Sequence, residues 1–265
     1  MRKTRWTKLA LACSAALLFP AVSWSATDDA ALDLKPEAES APKQSADRPL
    51  RVFGEFAYGR LNQRYGLGSE DTRRASIDIN WAFRIAPQWR GVISDRLDDI
   101  HPVDEGSRST LNSLREAYVG WQSDDARWSF DIGRLNVRNG PAYGFNPTDY
   151  FRDGSQRAVT SADPLALREN RLGTVMARVQ QLWDGGSVSL VLAPKLRDGP
   201  SDKSFSADFG ATNHADRALL TVSSRAGDQV SLQGFLFHER HKGVQLGANA
   251  TTVFGSSTVG FVEWS

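Results

Sequence analysis

The 265-residue chain holds one cysteine and carries almost no net charge, with 32 basic against 31 acidic residues. A lone cysteine excludes an internal disulfide and leaves no thiolate set for zinc or an iron–sulfur cluster. The even balance removes the electrostatic case for a nucleic-acid binder, since no basic excess is present to neutralise phosphates. No P-loop, EF-hand, HExxH or CxxC pattern occurs, so neither a metal nor a cofactor is expected. The chain also lacks any run of about 18 apolar residues, and its mean hydropathy is -0.41, which excludes a helical membrane protein. It does not exclude a membrane barrel, whose strands carry apolar side chains only at alternate positions and so average like a soluble chain.

What is present begins with an address. Arg2, Lys3, Arg5 and Lys8 form a basic stretch, Leu9 to Phe19 an apolar one of signal-peptide length, and Ser23-Trp24-Ser25 a small-x-small cleavage site. Residues 1–25 therefore read as a secretory signal that is removed together with Cys13, leaving a mature chain that starts near Ala26. Residues 26–49 are rich in Asp, Glu, Lys, Ala, Ser and Pro, with no aromatic residue and no periodic apolar pattern. Such a segment buries too little surface to offset its ordering entropy and reads as a disordered periplasmic lead-in.

From Leu50 onward the signal has a period of two. Ala75, Ile77, Ile79, Trp81, Phe83 and Ile85 alternate with Ser76, Asp78, Asn80, Ala82 and Arg84, which makes an extended strand with one apolar and one polar face. A run of about 11 residues is longer than usual for a soluble sheet and matches a tilted strand crossing a bilayer. Strands are expected near 50–61, 74–85, 89–98, 111–122, 127–137, 171–183, 187–196, 215–225, 229–238, 243–254 and from 258 on. Tight turns alternate with longer connections near 62–73, 99–110, 138–170 and 197–214, as periplasmic turns alternate with extracellular loops in outer-membrane barrels. Phe83, Trp89, Trp121, Trp128, Trp183 and Phe254 flank the tight turns, where amphipathic rings form an interfacial girdle. The fold expected over residues 50–265 is thus an all-β, antiparallel transmembrane barrel of 10 or 11 strands, with a soluble β-sandwich as the alternative.

The stretch Leu114-Arg115-Glu116-Ala117-Tyr118-Val119-Gly120-Trp121, then Ile132-Gly133-Arg134, Asn139-Gly140, Gly144 and Asn146-Pro147-Thr148-Asp149-Tyr150-Phe151, resembles the porin-like and alginate-export-like outer-membrane barrels of Gram-negative bacteria. The resemblance covers roughly residues 110–195. It implies a channel or exporter for hydrophilic solutes, such as sugars or anionic polysaccharide, without naming the residues that would choose among them. It also implies that the long connection 138–170 folds into the lumen and narrows it; a surface loop is the other reading. Candidate constriction or lumen residues are Arg134, Arg138, Asn146, Asp149, Arg152, Asp153, Arg157, Arg168 and Glu169, since opposed charges across a pore sort solutes by charge and dipole. Asn146 or Asp149 would also bond the local backbone in a turn.

Charged positions on the polar faces of the strands, Asp78, Arg84, Arg90, Arg96, Glu116 and Arg178, are expected to line the lumen, while Ile77, Ile79 and Ile93 face lipid. The four histidines, at 101, 214, 238 and 241, come with no Gly-x-Ser-x-Gly or comparable pattern, so no catalytic residue is assigned and no enzyme is expected. The partners expected are outer-membrane lipid, the outer-membrane assembly machinery and a hydrophilic solute; a non-transporting outer-membrane scaffold and a soluble exported β-sandwich that binds carbohydrate are the competing functions. Single-chain barrels use an even strand number, so a count of eleven predicts a mismatched seam and a chain that continues past Ser265 or is a truncated product. A ten-stranded reading would restore the even number.

Overall fold

The computed structural model describes residues 50–62, 69–101, 109–141, 146–155, 171–199, 205–227, 229–254 and 258–265. The expected signal peptide and lead-in lie outside the described residues. Eleven strands follow one another: β1 (Leu50–Asn62), β2 (Ser69–Ala86), β3 (Trp89–His101), β4 (Thr110–Gln122), β5 (Trp128–Leu135), β6 (Thr174–Trp183), β7 (Gly186–Ala193), β8 (Arg217–Ala226), β9 (Val230–Glu239), β10 (Gly243–Phe254) and β11 (Thr258–Trp264). Each pairs antiparallel with its neighbour in sequence, and one sheet runs in order from β1 to β11. There is no helix among the described residues. Every expected strand is present.

The strand ends differ from expectation at the long-connection side. β1 and β2 pair out to Asn62 and Ser69, where a 12-residue loop was expected, and β3 continues to His101. Ser69 to Arg73 carries no apolar alternation, yet its backbone still closes ladder hydrogen bonds. Arg60 adds a bond to Ser69 at 2.7 Å. At the opposite end the turns are short. Asp184-Gly185 links β6 to β7, and Gly185 sits at φ 84, the left-handed conformation that a two-residue hairpin turn requires.

The two faces of the sheet are inverted relative to a soluble protein. Among the described residues 24 polar or charged side chains are buried against 13 hydrophobic ones, whereas 32 large hydrophobic residues are exposed. Ile77, Ile79 and Ile93 lie on the exposed face and Asp78 and Arg96 on the buried one, as the period of two predicted. Exposed Trp81, Trp89, Trp128 and Trp183 share the outward face near the short turns. Trp89 and Trp121 are direct ladder partners, and the Trp121 Nε1 donates to Gln88 Oε1 at 3.0 Å. These rings form the expected belt at the turn end.

β1 and β11 are the edges of the sheet and make no ladder with each other among the described residues. Nine strands lie between them, each antiparallel to its neighbours, so the two edges point the same way.

Candidate functional site

The buried polar face carries the chemistry, and its residues fall into three groups. The first lies toward the long connections. Glu55 of β1, Arg74 and Asp78 of β2, and Arg96 and Asp98 of β3 all point inward by alternation. Arg74 Nη2 donates to Glu55 Oε1 at 2.5 Å, and Arg96 Nη2 reaches the other Glu55 oxygen at 3.2 Å. Arg96 Nε donates to Asp98 Oδ1 at 3.0 Å, and its Nη1 lies 3.7 Å from Asp78 Oδ2. Ser76 Oγ also donates to Asp98 Oδ1, at 2.6 Å.

A sixth charge enters this group through a β-bulge. β3 and β4 pair Ser94 with Glu116 and Asp95 with Leu114, so Arg115 is an extra residue between them. The insertion lets Arg115 and Glu116, adjacent in sequence, both turn inward. Arg115 Nη2 then donates to Asp78 Oδ1 at 2.5 Å. Three arginines thus meet three carboxylates, nearly all of them buried. The mutual pairing offsets a desolvation cost that would be prohibitive for any one of them alone.

The second group is a single cross-strand row nearer the short turns. Arg84 pairs with Arg90, Arg90 with Gly120, Gly120 with Asp131, and Asp131 with Arg178, across β2 to β6. Gly120 is required here by close approach. A Cβ at that position would strike Asp131 Oδ1 and lie 3.0 Å from Arg90 Nε, so its absence lets Arg90 cross β4. Arg90 Nη2 reaches Asp131 Oδ1 at 3.4 Å, while Arg178 holds Asp131 Oδ2 with bonds of 2.6 and 3.1 Å. Glu116, Arg138 and Arg178 line a polar recess just above this row, together with Ser187, Thr221 and Gln233.

The third group is the segment 146–155, which lies on the inward face. Asn146 Oδ1 accepts from the Thr148 backbone N–H and from Thr148 Oγ1, both at 3.1 Å, the side-chain turn expected of this residue. Its Nδ2 donates to the Asn139 carbonyl at 2.7 Å. Asp149 is gripped from both oxygens by Arg171, at 2.5 and 3.1 Å. Beyond this anchor the segment reaches the far strands. Tyr150 stacks on Phe237 of β9 with ring centroids 4.7 Å apart, and Phe151 meets the same ring edge-on at 6.0 Å. The Arg217 guanidinium of β8 lies 5.1 Å from the Phe151 ring centre. Thr148 Oγ1 also lies 3.2 Å from Glu263 Oε2 of β11, so its one hydroxyl hydrogen is shared between Asn146 and Glu263.

The structure therefore brings together most of the residues singled out from sequence. Asp78 and Arg96 stand in the balanced network, Arg90 and Arg178 in the row below it, Glu116 and Arg138 in the recess, and Asn146 and Asp149 in the inward segment. Arg84 shares the inward side but sits exposed at the strand end. Asp153 is exposed and lies 3.6 Å from Lys242 Nζ, at the rim rather than within. Arg152 is half-buried beside it. Arg134 is placed differently from a lumen charge. It is fully buried and donates to the backbone carbonyls of Gly173, Ala207 and Asp208 at 2.9, 2.9 and 2.8 Å, tying two connections together. Arg157, Arg168 and Glu169 lie outside the described residues. Glu55, Arg74, Asp98 and Arg115 were not singled out as site residues from the sequence. The first three share the polar parity of Asp78 and Arg96 and were legible by that signal; Arg115 was hidden by the bulge.

No family model matches the chain, and no curated protein matches it. Porins are among the solved structures to which the chain is similar. A Salmonella typhi OmpF structure in complex with daunomycin is 17% identical, over 77% of this chain and 61% of that one, with a TM-score of 0.42. The chain thus spans about three fifths of the OmpF length. Two Rhodopseudomonas blastica porin mutants are each 11% identical over 81% of this chain and 83% of theirs, with a TM-score of 0.33.

Proposed function

We propose that this chain works in the outer membrane as a porin-like, non-enzymatic channel for hydrophilic solutes. The observation that carries the reading is the inverted sheet, with an apolar face bounded by a tryptophan belt on one side and a face of buried charge on the other. In water, exposing so many contiguous large apolar residues would drive aggregation. In a bilayer the same face is solvated by lipid, while the polar face needs water or its own partners.

The inward segment 146–155 acts as the constriction. Its Asp149–Arg171 anchor sits beside β6, and its aromatic tip crosses the interior to β9, narrowing whatever passes. The transported class is hydrophilic, and sugars or anionic polysaccharide are the members that the family resemblance favours. Outer-membrane lipid and the assembly machinery are its partners, and the signal at residues 1–25 supplies export.

Two measurements test the proposal. Detergent-extracted chain is expected to migrate differently on gels before and after boiling and to give discrete conductance steps in planar bilayers. Recovery of the full chain in a soluble periplasmic extract, or a folded chain without conductance, would overturn it.

A further inference from the structure

The cross-strand row from Arg84 to Arg178 is short of negative charge, and the shortage falls at its solvent-facing end. Arg178 and Arg90 share Asp131, whose side chain is 1% exposed and whose oxygens both groups already occupy. Glu116, the other acid on this side, faces Arg138 across the recess. Asp124 in the adjoining turn accepts from Gln88 Nε2 at 2.8 Å. Arg84 is exposed and makes no hydrogen bond or ion pair with any described residue, although it stands directly opposite Arg90. Among the described residues, four arginines thus face two carboxylates.

Like charges directly opposite each other on neighbouring strands destabilise a sheet. Packing gives no return for this pair, because Arg84 is exposed and the Arg90 side chain is 46% exposed. The contrast with the network above it, where every arginine meets a carboxylate, makes the gap local rather than general. Directly opposed side chains stand about 5 Å apart at Cβ, so two guanidinium forks can close on one oxyanion. Guanidinium is the group best matched in shape to carboxylate and phosphate.

Building on the channel reading, we infer that Arg84 and Arg90, backed by Arg178, form an anion-binding site on the turn side of the lumen, and that the transported solutes are small carboxylate- or phosphate-bearing anions. The site takes a free solute, since both side chains point to the polar face and away from the lipid-facing isoleucines and tryptophans. Arg90 is held in place across Gly120 by Asp131, and Arg84 stays free to follow the solute toward the turn end.

The test has two arms, both on the full chain extracted in detergent. In neutral-lipid planar bilayers under a KCl gradient, the reversal potential is expected to show chloride preferred over potassium. Arg84→Gln is expected to lower that preference about threefold, as loss of a unit charge ~6 Å from an ion in water predicts, with a further drop for the Arg84→Gln/Arg90→Gln double variant. Arg84→Lys retains it. In the second arm, inorganic phosphate is expected to slow phenylglyoxal modification of Arg84 and Arg90, read by mass spectrometry, more than chloride does at equal ionic strength. A potassium preference, a ratio unmoved by the double variant, or labelling indifferent to phosphate overturns the site. Absence of conductance from the wild-type chain defeats the channel reading instead, and phosphate protection then decides the anion site by itself. Arg84 bonds to nothing described, so its substitution leaves folding intact, as an unchanged heat-modifiable band will show.

Discussion

Two patches of the same interior face use arginine in opposite ways. Around Arg96, three arginines and three carboxylates pair at 2.5 to 3.7 Å and are largely shut off from water. Some inward positions further along the same strands, Arg90 shares one aspartate with Arg178, and Arg84 faces solvent. The first patch is structural, because an unpaired charge there would stay buried. The second can carry an imbalance, because solvent screens it and a mobile anion can relieve it. Arginine content alone does not separate them. The count of carboxylates within reach, and the exposure of each guanidinium, does.

The largest expected break is Arg96→Ala. It strands Asp98 without its main partner and takes a second partner from Glu55 and Asp78, and should cost about 3 kcal/mol or more, the usual penalty for removing one side of a buried pair. Urea unfolding followed by loss of the heat-modifiable band measures it, and a cost near zero would make the upper patch as solvated as the lower. Next comes Gly120→Val, which forces side-chain atoms into the path of Arg90 and the carboxylate of Asp131. An overpacking cost of about 1–3 kcal/mol is expected, together with a fall in anion preference, since Arg90 is displaced.

Thr148→Ala removes the hydroxyl that links Asn146 to Glu263 and should cost about 1 kcal/mol while raising single-channel conductance as the inward segment loosens. Conductance unchanged from wild type would mean the segment does not narrow the passage. Arg84→Gln should change stability by less than ~0.5 kcal/mol, in sharp contrast to Arg96→Ala, because it gives up no partner.

The smallest effect is one of pH. Asp216, in the connection before β8, accepts from the Lys195 backbone N–H and from Arg240, and these hold its carboxyl below the ordinary range. A lowered folded-state value stabilises the charged form, so the contribution is complete above the ordinary carboxylate range and disappears as pH falls through the lowered value. Amide exchange at Lys195 should quicken over that window, and Asp216→Asn should abolish the dependence.

Much of this architecture was legible before any coordinates. The run from Ala75 to Ile85 identifies β2 and both of its faces, since side chains in a strand alternate whatever the strand pairs with. The same rule placed Asp78, Arg96, Ile77 and Ile93 on their correct sides. It failed in two instructive places. Ser69 to Arg73 is strand although it shows no apolar alternation, because ladder hydrogen bonding continues there without it. Arg115 faces inward although strict alternation sends it outward, because one inserted residue reverses the parity.

The sequence by itself determined the strand positions, the exposed apolar and buried polar faces, the aromatic residues near the short turns and the Asn146 turn. All of these depend on local spacing and on side chains within a few residues of each other. Tertiary structure alone decided which charges meet. Asp78 finds Arg115 at a separation of 37 residues, Tyr150 rests on Phe237, and Arg84 stands opposite Arg90 with no acid bonded to it among the described residues. Such contacts depend on register between strands, and register is a property of the whole sheet: a single bulge shifts every pairing beyond it.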